Sequence, residues 1–161
     1  MSVKLKPSIV SPMEVRENPK GAAPTGEIRV QVKLTNAVDD GMLERGLLKP
    51  EQVRTYTADA LVDTGSVMPT LPIQVVQQLG LRIVGKARAD YANGAEETVD
   101  LTDAVDIEIG GRSAILQTMV LGTEVLIGQM VLEQMDYLVD CANGQLIGNP
   151  AHPDQPVLKV K

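Results

Sequence analysis

Residues 60–66 read Ala-Leu-Val-Asp-Thr-Gly-Ser, an apolar run that ends abruptly in polar residues and a glycine. Three apolar, β-compatible residues lead into a carboxylate, a hydroxyl and a glycine. Asp can hydrogen-bond the backbone downstream of itself and Gly accepts a positive φ, so Asp-Thr-Gly is turn chemistry. The pattern predicts a buried strand that delivers Asp63 to a tight loop at the end of a sheet. Taken alone, the tripeptide is equally compatible with an ordinary turn.

A second apolar strand lies some sixty positions later. Residues 123–135 read Thr-Glu-Val-Leu-Ile-Gly-Gln-Met-Val-Leu-Glu-Gln-Met, a strand that ends at Gly128 and passes into helical spacing over residues 129–134. Together the two stretches resemble the retropepsin-like aspartic proteases, the single-domain relatives of retroviral protease. The resemblance extends from Ile28 to Ile147. It implies an all-β, mainly antiparallel domain, closed or orthogonal, with two short helices, which dimerises.

The resemblance also implies roles for the residues of both strands. Asp63 would be catalytic, Thr64 would hydrogen-bond across a two-fold axis, and Gly65 would allow close backbone approach. Ser66 would orient the carboxylate from its outer side, while Ile127 and Gly128 would pack behind the loop. The retroviral enzymes usually pair an acidic residue shortly after the Asp loop with an Arg after the second glycine. Here those positions hold Val67-Met68 and Gln129, so that ion pair is absent.

The chemistry of peptide hydrolysis predicts a second copy of the chain. Without a metal or a covalent intermediate, hydrolysis needs a base that activates water and an acid that protonates the amide. Two neighbouring carboxylates that share one proton supply both. The chain has one Asp-Thr-Gly loop on a suitable strand, so the partner of Asp63 would be Asp63 of a homodimer related by a two-fold axis. No metal and no cofactor are predicted.

Asn93-Gly94 is a strong hairpin signal, because both central positions of a type I′ turn need positive φ. In the resemblance this hairpin falls where the flap lies, which makes Tyr91, Ala92, Asn93 and Gly94 the candidate flap and Tyr91 a candidate substrate-facing residue. The tip lacks the glycine-rich sequence of the retroviral flaps. The residues alone are equally compatible with an ordinary surface hairpin.

Length and composition bound the organisation. With 161 residues the chain predicts one domain and is too short for the two-lobed aspartic proteases. Prolines and glycines divide it into a Pro-rich arm (1–26), a domain (27–148) and a Pro-rich tail (149–161). Alternation predicts a first strand over 27–34. Residues 35–51, which include Asp40-Gly41, predict a solvated loop with one helical turn around Met42-Leu43. Residues 72–79 predict a short amphipathic helix, and 110–111 and 143–144 predict tight hairpins.

Charge and cysteine content exclude several classes of function. The net charge is -6 with no basic cluster, and Phe and Trp are absent, so a nucleic-acid partner is disfavoured. The lone cysteine, Cys141, forms no internal disulfide, and its pairing with His152, in a Pro-flanked segment, is a poor catalytic arrangement. The amino terminus lacks a signal-peptide pattern and no stretch is long enough to span a membrane, so the expected location is the cytoplasm, without membrane contact.

Three functional hypotheses remain open. The first is an aspartic endopeptidase that acts as a homodimer on peptide or protein substrates, with apolar residues on both sides of the cut because Val67, Met68 and Ile127 are aliphatic. The second is a catalytically silent retropepsin-like dimer that binds extended peptides or serves as a scaffold. The third is a monomeric scaffold in which the Asp loop is only a turn.

Overall fold

The computed structural model describes residues 26–160, and their architecture is mostly β, as predicted. The strands are β1 (Arg29–Asn36), β2 (Thr55–Val62), β3 (Thr70–Leu71), β4 (Ile83–Asp90), β5 (Glu96–Thr102), β6 (Val105–Ile109), β7 (Arg112–Leu116), β8 (Met119–Val120), β9 (Leu126–Ile127), β10 (Tyr137–Asp140) and β11 (Gln145–Gly148). The helices are α1 (Ala37–Glu44), α2 (Ile73–Gln78) and α3 (Gln129–Met135), with one 3-10 turn at Pro50–Gln52.

Nine strands form one sheet in the order β4-β5-β8-β3-β9-β2-β1-β6-β7, and β10 pairs with β11 in a separate hairpin. Most neighbours are antiparallel, which confirms the predicted class. Two pairs are parallel, β2 with β9 and β3 with β8. The parallel pair β2–β9 matters most for function, because it brings the ends of the two apolar stretches together although some sixty residues separate them in the sequence.

The core is aliphatic and follows from strand periodicity. In β1 the buried residues Val30, Val32 and Leu34 alternate with exposed or half-buried ones, as expected for a strand with one face inward. The other core positions come from most of the remaining strands, from α2 and α3, and from a few residues that flank them, and without Phe or Trp they are filled mainly by Val, Leu and Ile. The buried faces of α2 and α3 contribute Val75, Val131 and Leu132.

The segment predicted as a solvated loop contains helix α1, which corrects that prediction. The side chain of Asn36 accepts hydrogen bonds from the amides of Val38 (3.0 Å) and Asp39 (3.1 Å), an N-cap that starts the helix despite Gly41. The Asp39 carboxylate accepts hydrogen bonds from Arg54 Nε at 2.8 Å and from Arg54 Nη2 at 2.9 Å. These hydrogen bonds from Arg54 hold the pKa of Asp39 below its ordinary value. A long-range ion pair therefore stabilises a helix whose local sequence is weak.

The glycine-containing turns confirm the predicted hairpins but not every turn type. Gly110 and Gly111 both have positive φ (56° and 90°) and join β6 to β7 as a two-residue turn. At the β4–β5 hairpin only Gly94 is left-handed (φ 86°), so the predicted type I′ turn is wrong. The Gly94 amide donates to the Tyr91 carbonyl (2.9 Å) and the Tyr91 amide to the Ala95 carbonyl (2.8 Å), which makes a three-residue loop.

The described part of the carboxyl-terminal segment contains no helix or strand, yet it is tied to the domain. Asp136, left-handed at φ 56°, accepts hydrogen bonds from Asn149, His152 (2.6 Å) and the Val157 amide. Partial burial opposes ionisation of this carboxyl, but these donors outweigh it and lower the pKa of Asp136. Buried Arg112 donates to the carbonyls of Met135, Asp136 and His152. Apart from Gly26, the predicted arm (1–26) lies outside the described residues.

Candidate active site

Asp63 stands at the carboxyl end of β2, where the parallel strand β9 fixes its backbone. The Leu61 amide donates to the Val125 carbonyl and the Asp63 amide to the Ile127 carbonyl, each at 2.9 Å. On the other side of β2, the Val62 amide donates to the Ile28 carbonyl at 2.8 Å. Three hydrogen bonds from two neighbours thus hold the last residues of the strand. Asp63 therefore lies at the end of a sheet strand, as the sequence predicts.

The loop after the strand is braced by its own carboxylate. The Gly65 amide donates to Asp63 Oδ1 at 2.9 Å, and the Ser66 amide donates to the Asp63 carbonyl at 3.2 Å. A Cβ atom on Gly65 would lie 3.2 Å from that same Oδ1, so a side chain at this position would require the carboxylate to shift by a few tenths of an ångström. The Ser66 hydroxyl donates to the Met68 carbonyl at 2.9 Å. In this structure the Gly65 amide, and not the predicted Ser66 hydroxyl, contacts the carboxylate.

Helix α3 closes the back of the loop through Gly128. A Cβ at Gly128 would lie 2.6, 2.9 and 2.8 Å from the carbonyl oxygens of Ser66, Val67 and Met68. The next two amides use this proximity, since Gln129 donates to the Ser66 carbonyl (2.7 Å) and Met130 to the Val67 carbonyl (2.9 Å). The loop carbonyls therefore satisfy amides at the N-terminus of α3. Ile127 is fully buried, and its carbonyl accepts the hydrogen bond from the Asp63 amide.

Asp63 opens into a groove of about 470 Å³ between the loop and the β4–β5 hairpin. The loop side carries Gly65, Ser66, Val67, Met68 and Thr70, and the hairpin side carries residues 87–92. Of the four candidate flap residues, Tyr91 and Ala92 line the groove, whereas Asn93 and Gly94 at the tip do not. Sequence reasoning missed the far wall, formed by Met119, Leu121 and Leu126.

The groove carries few charges. Besides Asp63, its charged lining residues are Arg88 and Asp90 on β4. Arg88 Nε lies 3.3 Å from Asp90 Oδ1 and 3.3 Å from Glu96 Oε1, and all three side chains are more than half exposed. Exposed pairs of this length contribute little to stability. The remaining lining is mostly aliphatic.

Thr64 lies on the outer surface of the loop, between two further concavities. One, of about 570 Å³, is shared with α3, β10 and residues 157–159, and the other, of about 340 Å³, is shared with residues 26–28, Val139 and Cys141. Thr64 is exposed and its hydroxyl has no hydrogen-bond partner within residues 26–160. In the part of the chain that the structure describes, the Thr64 side of the loop, which the resemblance assigns to a second copy, is therefore exposed.

Other chemistry-bearing residues do not assemble into a competing site. Cys141 is exposed at the β10–β11 turn, while the His152 ring is engaged by Asp136. Across residues 26–160, no three His, Cys, Asp or Glu side chains are arranged so that they could hold a metal ion. In the same part of the chain no helix is long and apolar enough to cross a membrane. Asp40, in α1, does not line the groove.

No family model and no curated protein matches the chain. Among solved structures, it is similar to the protease of Simian Foamy Virus (mac), with 11% identity, coverage of 65% of this chain and 90% of the other, and a TM-score of 0.41. It is also similar to a retropepsin-like aspartic protease from Rickettsia conorii, with 14% identity, coverage of 84% and 90%, and a TM-score of 0.46. Both neighbours are proteases, and at these identities no residue role is carried over from either.

Proposed function

We propose that the chain is an aspartic endopeptidase that cleaves peptide or protein substrates as a homodimer. The observation that carries this proposal is the placement of Asp63 on a doubly braced loop at the floor of an aliphatic groove of about 470 Å³. A carboxylate held by backbone alone keeps its position while a substrate binds, which is what a catalytic base requires.

The single chain supplies half of the catalytic pair. Oδ1 of Asp63 accepts from the Gly65 amide, and the other carboxylate oxygen has no partner within residues 26–160. The other carboxylate that lines the groove, Asp90, belongs to the hairpin wall and pairs with Arg88, so it is a poor partner for Asp63. A two-fold axis beside the exposed Thr64 would instead bring Asp63 of a second copy against the first.

The paired carboxylates would share one proton, because two ionised carboxylates in close contact repel each other. The ionised member removes a proton from water, and the resulting hydroxide attacks the scissile carbonyl carbon. The protonated member donates its proton to the carbonyl oxygen, giving a tetrahedral diol. Collapse of the diol returns one proton to the dyad, while the proton taken from water goes to the departing amine. Each cycle consumes one water and restores the shared proton.

The experiment that tests this function is cleavage of a diverse peptide mixture, read by mass spectrometry between about pH 4 and pH 7 at two protein concentrations. Wild type should cleave, with a rate per subunit that rises with concentration, and Asp63→Asn should not. Asp40→Asn is the matched control, because Asp40 also precedes a glycine closely in the sequence yet lies in α1, outside the groove.

Three results would redirect the interpretation. Cleavage by Asp63→Asn at the wild-type rate would refute the aspartic mechanism. Sedimentation that shows a monomer at the concentrations where wild type cleaves would refute the shared site. A dimer that binds peptides without cleaving any would favour the silent, peptide-binding alternative.

The aliphatic lining predicts apolar residues on both sides of the cut, and the mass spectra report that preference directly. The cytoplasmic location stays a prediction.

A further inference from the structure

Thr70 lies between two apolar residues of the groove wall. The register of β3 places it beside Met119 on β8 and beside Leu126 on β9, and all three line the groove. Residues that pair across neighbouring strands share one face of the sheet, and successive residues of a strand alternate between faces. The next residue of each strand belongs to the core or packs against it: Leu71, Val120 and Ile127. Thr70 therefore faces the groove, as the polar member of an apolar row.

The hydroxyl of Thr70 is buried and unpaired. Thr70 is 1% exposed, and within residues 26–160 its Oγ1 has no hydrogen-bond partner. A buried hydroxyl without a hydrogen bond costs free energy, and native proteins keep few such groups. In the same part of the chain the other buried side-chain atom of this kind is Asp106 Oδ1, which lies outside the groove. The groove wall thus contains a hydrogen-bonding group that is still unused.

Two other buried threonines show the contrast. Thr102 and Thr118 lie outside the groove, and their hydroxyl oxygens are 2.8 Å apart. The Thr102 hydroxyl also donates to the Asp103 carbonyl at 2.8 Å and accepts a hydrogen bond from the Thr118 amide at 3.2 Å. Where the fold buries threonine away from the groove, it satisfies the hydroxyl. At Thr70, where a substrate would lie, it does not.

A substrate side chain can reach this hydroxyl because its neighbours are adaptable. Met119 pairs with Thr70 and Met68 lies two residues before it, and both are half-buried in the groove wall. Met is unbranched and has three rotatable bonds, so its side chain can move aside. A hydroxyl both donates and accepts hydrogen bonds, whereas apolar surroundings penalise a charge. The wall therefore favours an uncharged side chain that carries a hydroxyl or an amide.

We propose that Thr70 is a specificity-determining residue, whose hydroxyl selects Ser, Thr, Asn or Gln at one position of the substrate on each side of the cut. This inference rests on the proposed function and deepens it. In a homodimer the wall occurs twice, so the preference appears at matched positions on both sides. Neighbouring side chains of an extended peptide point in opposite directions, so the other positions keep their apolar preference.

The test compares cleavage-site profiles of the same diverse peptide mixture for wild type and Thr70→Val. Wild type should prefer Thr over Val about fivefold at the matched positions, because Val has a similar shape and lacks the hydrogen bond. Thr70→Val should lose this preference, and Thr70→Ser, which keeps a hydroxyl, should retain it. Mass spectrometry of the fragments reports the residue at each position.

Thermal unfolding separates lost specificity from general damage. Thr70→Val should have a Tm no lower than that of wild type, because it replaces an unpaired buried hydroxyl with a methyl group. The matched control is Thr102→Val, which removes a buried hydroxyl that is hydrogen-bonded and lies outside the groove. This control should lower Tm and leave the cleavage profile unchanged.

A second readout works without cleavage. Immobilised Asp63→Asn protein, with and without Thr70→Val, captures intact peptides from the same mixture, and the captured peptides should be enriched in Ser, Thr, Asn and Gln only when Thr70 is present. If wild type cleaves nothing, the proposed function fails, while the captured peptides still decide the role of Thr70. Asp63-dependent cleavage with identical profiles in wild type and Thr70→Val would overturn the inference and leave the function standing. Neither cleavage nor capture of any peptide would overturn both.

Discussion

Gly128→Ala tests the central claim that α3 and the Asp loop form one unit. The added Cβ would lie 2.6–2.9 Å from three backbone carbonyl oxygens, all shorter than real Cβ contacts allow. Relief requires the loop and the helix to separate, which stretches the two hydrogen bonds from Gln129 and Met130. Overpacking costs about 1–3 kcal/mol. Each weakened hydrogen bond adds about 1 kcal/mol. We therefore expect a loss of about 3–5 kcal/mol in the free energy of unfolding.

A loss of this size is easily measured. For a domain of this length, about 3 kcal/mol corresponds to a fall in Tm of about 10 °C. Urea denaturation followed by circular dichroism gives the free energy, and a thermal scan gives Tm. The matched control is Gly41→Ala in α1, where an added Cβ meets nothing within 4 Å and φ is not positive. Better helix propensity should make this variant as stable as wild type or up to about 1 kcal/mol more stable.

Activity adds a second readout. A displaced loop should lower kcat even at temperatures where Gly128→Ala is folded, since shifts of about 1 Å at a catalytic group cost on the order of a hundredfold. A Gly128→Ala protein within about 0.5 kcal/mol of wild type would refute the reasoning, because changes of that size are ordinary for surface positions. A change in the free energy of unfolding equal to that of Gly41→Ala would do the same.

Two further variants test polar groups outside the groove. Burial, with repulsion from Asp40 and Glu108, raises the pKa of Asp106, so ionisation of this carboxyl destabilises the fold at neutral pH. Asp106→Asn should therefore raise Tm at pH 7, and this gain should vanish once the pH falls below the ordinary range of Asp pKa values. A change in Tm that does not depend on pH would contradict this explanation. Arg112→Met removes three hydrogen bonds made by a side chain that is 6% exposed, and it should lower the free energy of unfolding in urea by about 3 kcal/mol. An unchanged urea midpoint would show that these three hydrogen bonds contribute no net stability.

The parts of the site that could be predicted from the sequence are those with local signals. An apolar run that ends in Asp-Thr-Gly, and another that ends in Gly before helical spacing, each describe a strand and its exit within a few residues. Their meeting also followed, because the resemblance links both motifs to one loop. The hairpin at Asn93-Gly94 was equally local, although its turn type was wrong. A type I′ turn needs Asn93 left-handed, and the three-residue loop instead keeps that residue at negative φ.

The parts that could not be predicted depend on contacts between distant residues. Helix α1 needs the ion pair between Asp39 and Arg54, fifteen positions apart. The far wall of the groove needs the parallel pair β3–β8, forty-nine positions apart at Thr70↔Met119. Helix α1 is short and interrupted by Gly41, and β3 and β8 have two residues each. Elements this short or irregular give no periodic pattern in the sequence. In each case tertiary contacts select a structure that local propensity leaves open.

Helix α3 links the Asp63 loop to the carboxyl-terminal segment, although the two are far apart in the sequence. Its first amides hold the carbonyls of Ser66 and Val67, and its last carbonyls, at Met135 and Asp136, are held by Arg112. Asp136, at the same end, binds residues 149–157 through its carboxylate. The helix has only seven residues, too few to be stable alone in water. Its position, and with it the position of the Asp63 loop, therefore depends on bonds at both termini, and the carboxyl-terminal segment helps to fix the site although none of its residues lines the groove.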